Sequence, residues 1–182
     1  MTPAATAQPF GVLTEPATLT IERLLPGSVD RLWSYLTESD LRRQWMAAGE
    51  MDMRVGGKVE LVWRNDELSR SGGAKPKEFG DEHRLDSEIT ELDPPRRLGI
   101  SWGSTGGVTF DLEPVGDMVR LTVTHRRILE PEMQLNISAG WHAHLDVLAA
   151  RLAGEEPGPF WDHWTALKAE YAERLAPDGD RP

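Results

Sequence analysis

The sequence predicts an α+β domain: an antiparallel sheet with one buried face, covered by a long helix near the C-terminal end. Three observations predict it. Residues 58–126 hold successive stretches in which apolar residues alternate with polar ones. A helical period of 3.6 takes over after residue 139. Two short helical segments sit between the first strand and the rest. Alternation with period two writes a sheet wet on one side only, and such a sheet has to bury its apolar face against something.

The elements follow in order. "ATLTIERLL" (17–25) reads as a strand that Pro26 and Gly27 end. Ser28 then caps "VDRLWSYL", where Val29, Leu32, Trp33 and Leu36 fall on one helical face. Ser39 caps a second short helix carrying Leu41 and Trp45. Val59, Leu61 and Trp63 share a face of the next strand, and His83, Leu85, Ser87 and Ile89 share a face of the one after it. Leu98, Ile100 and Trp102, then Val108, Phe110 and Leu112, then Val119, Leu121, Val123 and His125 repeat the pattern. Turns are expected at Asp93-Pro94-Pro95, at 103–107 and at 114–117. The polar segment 65–79 reads as a long loop, a candidate flap. Residues 139–153 form the covering helix, with Trp141, Leu145, Leu148 and Leu152 on one face and Gly154 as its stop. A last helix starts at Trp161 and aligns Trp164, Leu167, Tyr171 and Leu175. Residues 1–16 and 177–182 carry no period and read as flexible tails.

Composition narrows the function. A chain of 182 residues fits one sizeable domain. The net charge of −10 makes nucleic acid and anionic membranes poor partners. The absence of cysteine removes disulfides, thiol nucleophiles and cysteine-based metal sites. No apolar run is long enough to span a bilayer, and the N-terminus lacks a signal-peptide pattern, so a cytoplasmic setting is expected.

The residues most informative about function break the buried alternation. Arg23, His83, Ser87 and His125 lie in register with apolar neighbours, and a buried polar group needs a partner, water or a ligand. His142 and His144 are two apart and point to different sides of a helix, a poor spacing for a shared metal. His144 faces inward on this reading, and His142 pairs outside with Asp146 at i, i+4. With no His-Glu-x-x-His motif, no metal and no cofactor are expected. Nor does a Gly-x-Ser-x-Gly elbow support a serine nucleophile. Trp63, Trp102 and Trp141 face inward, whereas Trp33, Trp45, Trp161 and Trp164 read as packing. Gly103, Gly106 and Gly107 lack the strand–loop–helix setting and lysine of a phosphate loop, and fit a hairpin connection. Val55-Gly56-Gly57 reads as the start or bulge of a strand.

Several of these pieces resemble a known family. "LTIERLLPGSVDRLWSYLTESDLRRQWM", "MDMRVGGKVEL", "ITELDPPRRLGISW" and "GWHAHLDVLAARLAGEEP" are similar to segments of the START-like (SRPBCC), helix-grip superfamily. The similarity is to the branch named for the activator of heat-shock protein 90 ATPase, and it spans roughly residues 17–156, with 157–176 as a helical extension. The resemblance implies a curved sheet gripping the long helix, with a cavity between them. It implies as cavity lining Trp63, His83, Ser87, Trp102, Phe110 and His125 from the sheet, and Trp141, His144, Leu145 and Leu148 from the helix. The superfamily includes lipid carriers, polyketide cyclases, co-chaperones and proteins that protect bacteria from their own enediyne antibiotics. The expectation is therefore non-enzymatic binding of a bulky hydrophobic molecule (a lipid, polyketide or enediyne). In the self-sacrifice version, Gly103, Gly106 or Gly107 would yield a backbone hydrogen to the activated drug and the chain would be cleaved there. Two alternatives stay open. One is a chaperone-binding domain with a filled core. The other is a cyclase-like enzyme using His83 or His125, though no catalytic residue is assigned.

Overall fold

The computed structural model describes residues 10–15, 17–103 and 106–175. Eight strands form one antiparallel sheet: β1 (Val12–Glu15), β2 (Thr18–Pro26), β3 (Ala47–Ala48), β4 (Lys58–Trp63), β5 (His83–Asp93), β6 (Arg97–Trp102), β7 (Gly106–Val115) and β8 (Met118–Arg126). Their spatial order is β1-β2-β8-β7-β6-β5-β4-β3. Helices α1 (Val29–Thr37) and α2 (Ser39–Arg42) follow β2. Helices α3 (Pro131–Ala153) and α4 (Phe160–Leu175) close the chain.

Register explains why one face is apolar. Leu19 pairs with His125, His125 with Val108, Val108 with Ile100 and Ile100 with Ile89, so one row crosses five strands. The next row joins Ile21, Val123, Phe110 and Leu98. All of these are buried. Leu145 and Leu148 of α3 are fully buried in the same core, each contributing about 2 kcal/mol by removal from water.

Local chemistry sets the boundaries. Ser28 Oγ accepts the Arg31 amide at 3.2 Å and opens α1. Gly154, at φ +72°, terminates α3 as expected. Gly57 has a close neighbour: a Cβ there would stand 1.9 Å from the Asp52 carbonyl oxygen. Its carbonyl and the Gly56 amide pair with Ile89 where β4 begins. The buried Arg42 donates to the carbonyls of Leu36 (3.1 Å), Ala47 (3.0 Å) and Gly49, fastening the α1–α2 corner to β3. Burial lowers its pKa to about 10, the Glu50 charge opposing.

Four expectations are corrected. The stretch expected as a tail, 1–16, contains β1, whose residues pair with β2; residues 1–9 and 16 lie outside the described residues, as do 177–182. Helix α3 begins at Pro131, eight residues before the expected start, because Pro131 suits the first helical turn. Gly106 and Gly107 belong to β7, opposite Trp102 and Ser101, so neither lies in the connection expected at 103–107. The loop expected as a flap is laced to α4. Trp161 donates its backbone N–H to Gly72 at 2.8 Å and its indole N–H to Asp66 at 2.7 Å, and Ala74 donates to Asp162 at 2.8 Å. Helix α4 also shares the core through Phe160, Trp161, Trp164, Leu167 and Tyr171. Among the described residues, no helix is long and apolar enough to cross a membrane.

Candidate functional site: an aromatic cleft between sheet and helices

A cleft of about 350 Å³ opens between the β4–β6 end of the sheet, the middle of α3 and the start of α4. Its sheet wall is Trp63, His83 and Trp102. Trp63 meets His83 and Trp102 with ring centroids 5.5 Å apart in each case. Helix α3 supplies Met133, Asn136, Ile137, Gly140, Trp141 and His144. The third wall is Phe160, Trp161 and Trp164 of α4, with Phe79 of the laced loop tilted against Trp161 at 4.9 Å and edge-on to Trp164 at 5.1 Å. Glu78, Asp81 and Glu82 form the polar lip. Lys75 pairs with Asp81 at 2.6 Å, and Arg64 with Glu82 at 3.0 Å.

The sheet and α3 walls are placed by elements that the sequence patterns in advance. Trp63 ends β4 and Trp102 ends β6, so alternation aims both inward at the sheet's margin. On α3, rows at i, i+4 and i+8 face the cleft: Met133–Ile137–Trp141, and Asn136–Gly140–His144. Of the chain's seven tryptophans, five line it.

The structure brings together Trp63, His83, Trp102, Trp141 and His144. His83 was expected to be buried; it is exposed, because it begins β5 at the open end of the sheet. Phe110 lies beneath the lining, edge-on to Trp141 at 5.6 Å. His125 is likewise one layer down. It accepts the Trp141 indole N–H on Nδ1 at 3.0 Å, which puts its own proton on Nε2. Burial pushes its pKa down to about 4, so the ring is neutral. Ser87, Leu145 and Leu148 are buried but do not line the cleft, and the Ser87 hydroxyl has no hydrogen-bond partner. Gly103, Gly106 and Gly107 adjoin Trp102 without reaching the lining.

His144 does line the cleft. Its Nδ1–H donates to the Gly140 carbonyl at 2.8 Å, and Nε2 faces the Asn65 amide at 3.2 Å. Burial lowers its pKa to about 4. A neutral ring with its proton on Nδ1 accepts at Nε2, so the Asn65 amide is turned to donate. His142 pairs with Asp146 as expected, at 3.4 Å, but it is buried rather than outside. Helix α4 covers that face, and Tyr171 meets His142 Nδ1 at 3.0 Å while its hydroxyl accepts the Gly11 amide at 2.7 Å. Arg23 reaches the same cluster, donating to Asp146 at 3.3 Å. Among the described residues, no group of three or more His, Cys, Asp or Glu could hold a metal ion.

Sequence reasoning missed Asn136, Gly140 and the α4 wall. Asn136 stands on the part of α3 before residue 139, which weak helical period and a proline obscured; Gly140 lies within the expected helix, but on the row beside the apolar stripe. Trp161 and Trp164 were read as packing only. They do pack, and their remaining faces close the cleft.

An open antiparallel sheet wrapped on a long C-terminal helix, with a cleft at the contact, defines a START-like helix-grip protein. The family model described as Activator of Hsp90 ATPase homolog 1-like protein matches residues 26–153, and the chain belongs to this family. Among solved structures, a Bordetella parapertussis protein determined in solution is 32% identical; the match covers 96% of this chain and 95% of that one, with a TM-score of 0.77. CalU16 from Micromonospora echinospora is 23% identical over 85% of this chain and 86% of its own, with a TM-score of 0.64. DynU16, a protein of the dynemicin biosynthetic locus, is 20% identical over 79% of this chain and 49% of its own, with a TM-score of 0.60. No curated protein matches the chain.

Proposed function

We propose that this protein binds a bulky, largely aromatic small molecule in the cleft and does not turn it over. The observation that carries the reading is the cleft itself, about 350 Å³ with five tryptophans on its walls. That volume suits a small-molecule site, and flat indole faces favour a flat apolar ligand. The chaperone-binding alternative expects a filled core, which the cleft opposes. The cyclase alternative needs a basic group poised near neutrality. Of its two candidates, His125 lies beneath the lining with Nδ1 engaged by Trp141 and its pKa lowered by burial to about 4, so this alternative rests on His83, which lines the cleft at its exposed rim. His144, the other histidine of the lining, has both ring nitrogens engaged and its pKa likewise lowered by burial to about 4.

Within this class, sequestration of a natural-product toxin is the specific reading. It draws support from the likeness to DynU16, a protein of the dynemicin biosynthetic locus, beside the resemblance to enediyne self-resistance proteins. Self-sacrifice at Gly103, Gly106 or Gly107 requires a ligand that reaches past Trp102.

The test is an amide NMR titration with polycyclic natural products, an enediyne among them, and fatty acids as controls. Saturable shifts at Trp63, Trp102, Trp141 and Trp161 support the reading; no shift there for any polycycle defeats it. Mass spectrometry after enediyne activation tests the finer version. Cleavage at 103–107 supports self-sacrifice, and an intact chain leaves sequestration alone.

A further inference from the structure

Helix α3 carries one glycine, Gly140, in the middle of its length. Glycine weakens a helix interior, so a reason for it has to be found. Backbone conformation is not the reason, because Gly140 is not among the glycines with positive φ. Crowding is not the reason either: a Cβ at Gly140 would meet nothing within 4 Å. This contrasts with Gly57, where the Cβ would collide with the Asp52 carbonyl oxygen at 1.9 Å. What lies in front of Gly140 is the cleft, which it lines. The missing side chain therefore keeps space clear for something other than this protein.

The neighbours on the same helical row say what kind of group fits. One turn before, Asn136 lines the cleft, and its Oδ1 is buried without a hydrogen-bond partner. One turn after, His144 is held by Gly140 and Asn65 and closes the far end. The row beside it, Met133, Ile137 and Trp141, is apolar. The result is a polar notch along one edge of an otherwise aromatic cleft. Oδ1 is shut off from the cleft, so what this amide offers a ligand is its Nδ2–H, which a hydroxyl oxygen accepts.

We infer that Gly140 and Asn136 determine ligand specificity: the notch takes a hydroxyl-bearing edge of a flat polycyclic ligand, which lies against the bare helix at Gly140. This inference rests on the binding function proposed above and names the chemical class of its ligand.

The test compares two probes of nearly equal shape, 9-phenanthrol and 9-methylphenanthrene, by quenching of tryptophan emission. It uses the full chain and the variants Gly140→Ala and Asn136→Leu, each checked for folding by urea denaturation. The wild type should bind the phenanthrol about two- to tenfold more tightly, the worth of one hydrogen bond. Asn136→Leu should erase that preference, bringing the ratio of the two affinities to about one. Gly140→Ala, which has room to fold, should weaken both probes about tenfold through loss of close approach. Equal affinity of the wild type for both probes overturns the inference and leaves the binding function standing. So does unchanged affinity in Gly140→Ala, or an unchanged preference in Asn136→Leu. If neither probe binds the wild type, the binding function itself falls, and the inference with it.

Discussion

Acid should unfold this protein well above the carboxylate range, through His125 and His144. Both rings are neutral in the fold, where burial lowers the pKa from 6.5 to about 4. The unfolded chain takes up a proton on each below pH 6.5 and the folded chain does not, down to about pH 4. Stability contributed by these sites is therefore complete above pH 6.5 and lost as pH falls through that window. The slope approaches about 1.4 kcal/mol per pH unit for each ring, so at pH 5 each has cost about 2 kcal/mol and the two about 4 kcal/mol. That is a large share of a typical domain's 5–15 kcal/mol. Burial also lowers His142 to about 4 against the opposing Asp146 charge, so it adds a slope of the same sign and the figure for His125 and His144 is a minimum. The assay is urea unfolding at intervals from pH 8 to pH 5. His125→Gln and His144→Gln, whose amides can take over the Trp141 and Gly140 contacts, should each flatten the profile by about one proton's slope. A wild-type profile that is level or rises toward pH 5 would refute the reasoning.

Two structural predictions accompany this one. Arg42→Met strands the carbonyls of Leu36, Ala47 and Gly49 in a buried corner; the loss should be about 3 kcal/mol or more by urea midpoint, and Arg42→Lys should not restore it, since one ammonium cannot span the same fork. Tyr171→Phe removes the hydroxyl that accepts the Gly11 amide and contacts His142; it should cost about 1–2 kcal/mol and speed hydrogen exchange at Gly11, and an unchanged exchange rate would detach Tyr171 from anchoring the chain ahead of β1.

The sheet and its buried face were legible because alternation is a local property. Once Val108, Phe110 and Leu112 alternate with polar residues, pairing with His125, Val123 and Leu121 follows from one shared need to bury an apolar face. Strand β1 was not legible, since the pairing that makes it a strand comes from β2 and not from its own pattern. The inward tryptophans of β4, β6 and α3 were read for the same reason as the sheet. Those of α4 were not, because their second neighbour is the loop 65–79, which has no period.

His125 shows most plainly where the sequence stops. Its parity with Val119, Leu121 and Val123 was enough to say that it points inward. Whether an inward histidine is a ligand group or a structural one depends on what stands opposite, and the Trp141 indole that occupies it arrives from sixteen residues away on another element. Gly140 makes the complementary case: a glycine in a helix shows nothing until the space in front of it is seen to be empty. Composition and periodicity thus determined the class of fold, its buried face and the aromatic supply for a site. The cleft's position, its α4 wall and the polar notch were decided only by packing, because each depends on the distance between side chains that no local pattern relates.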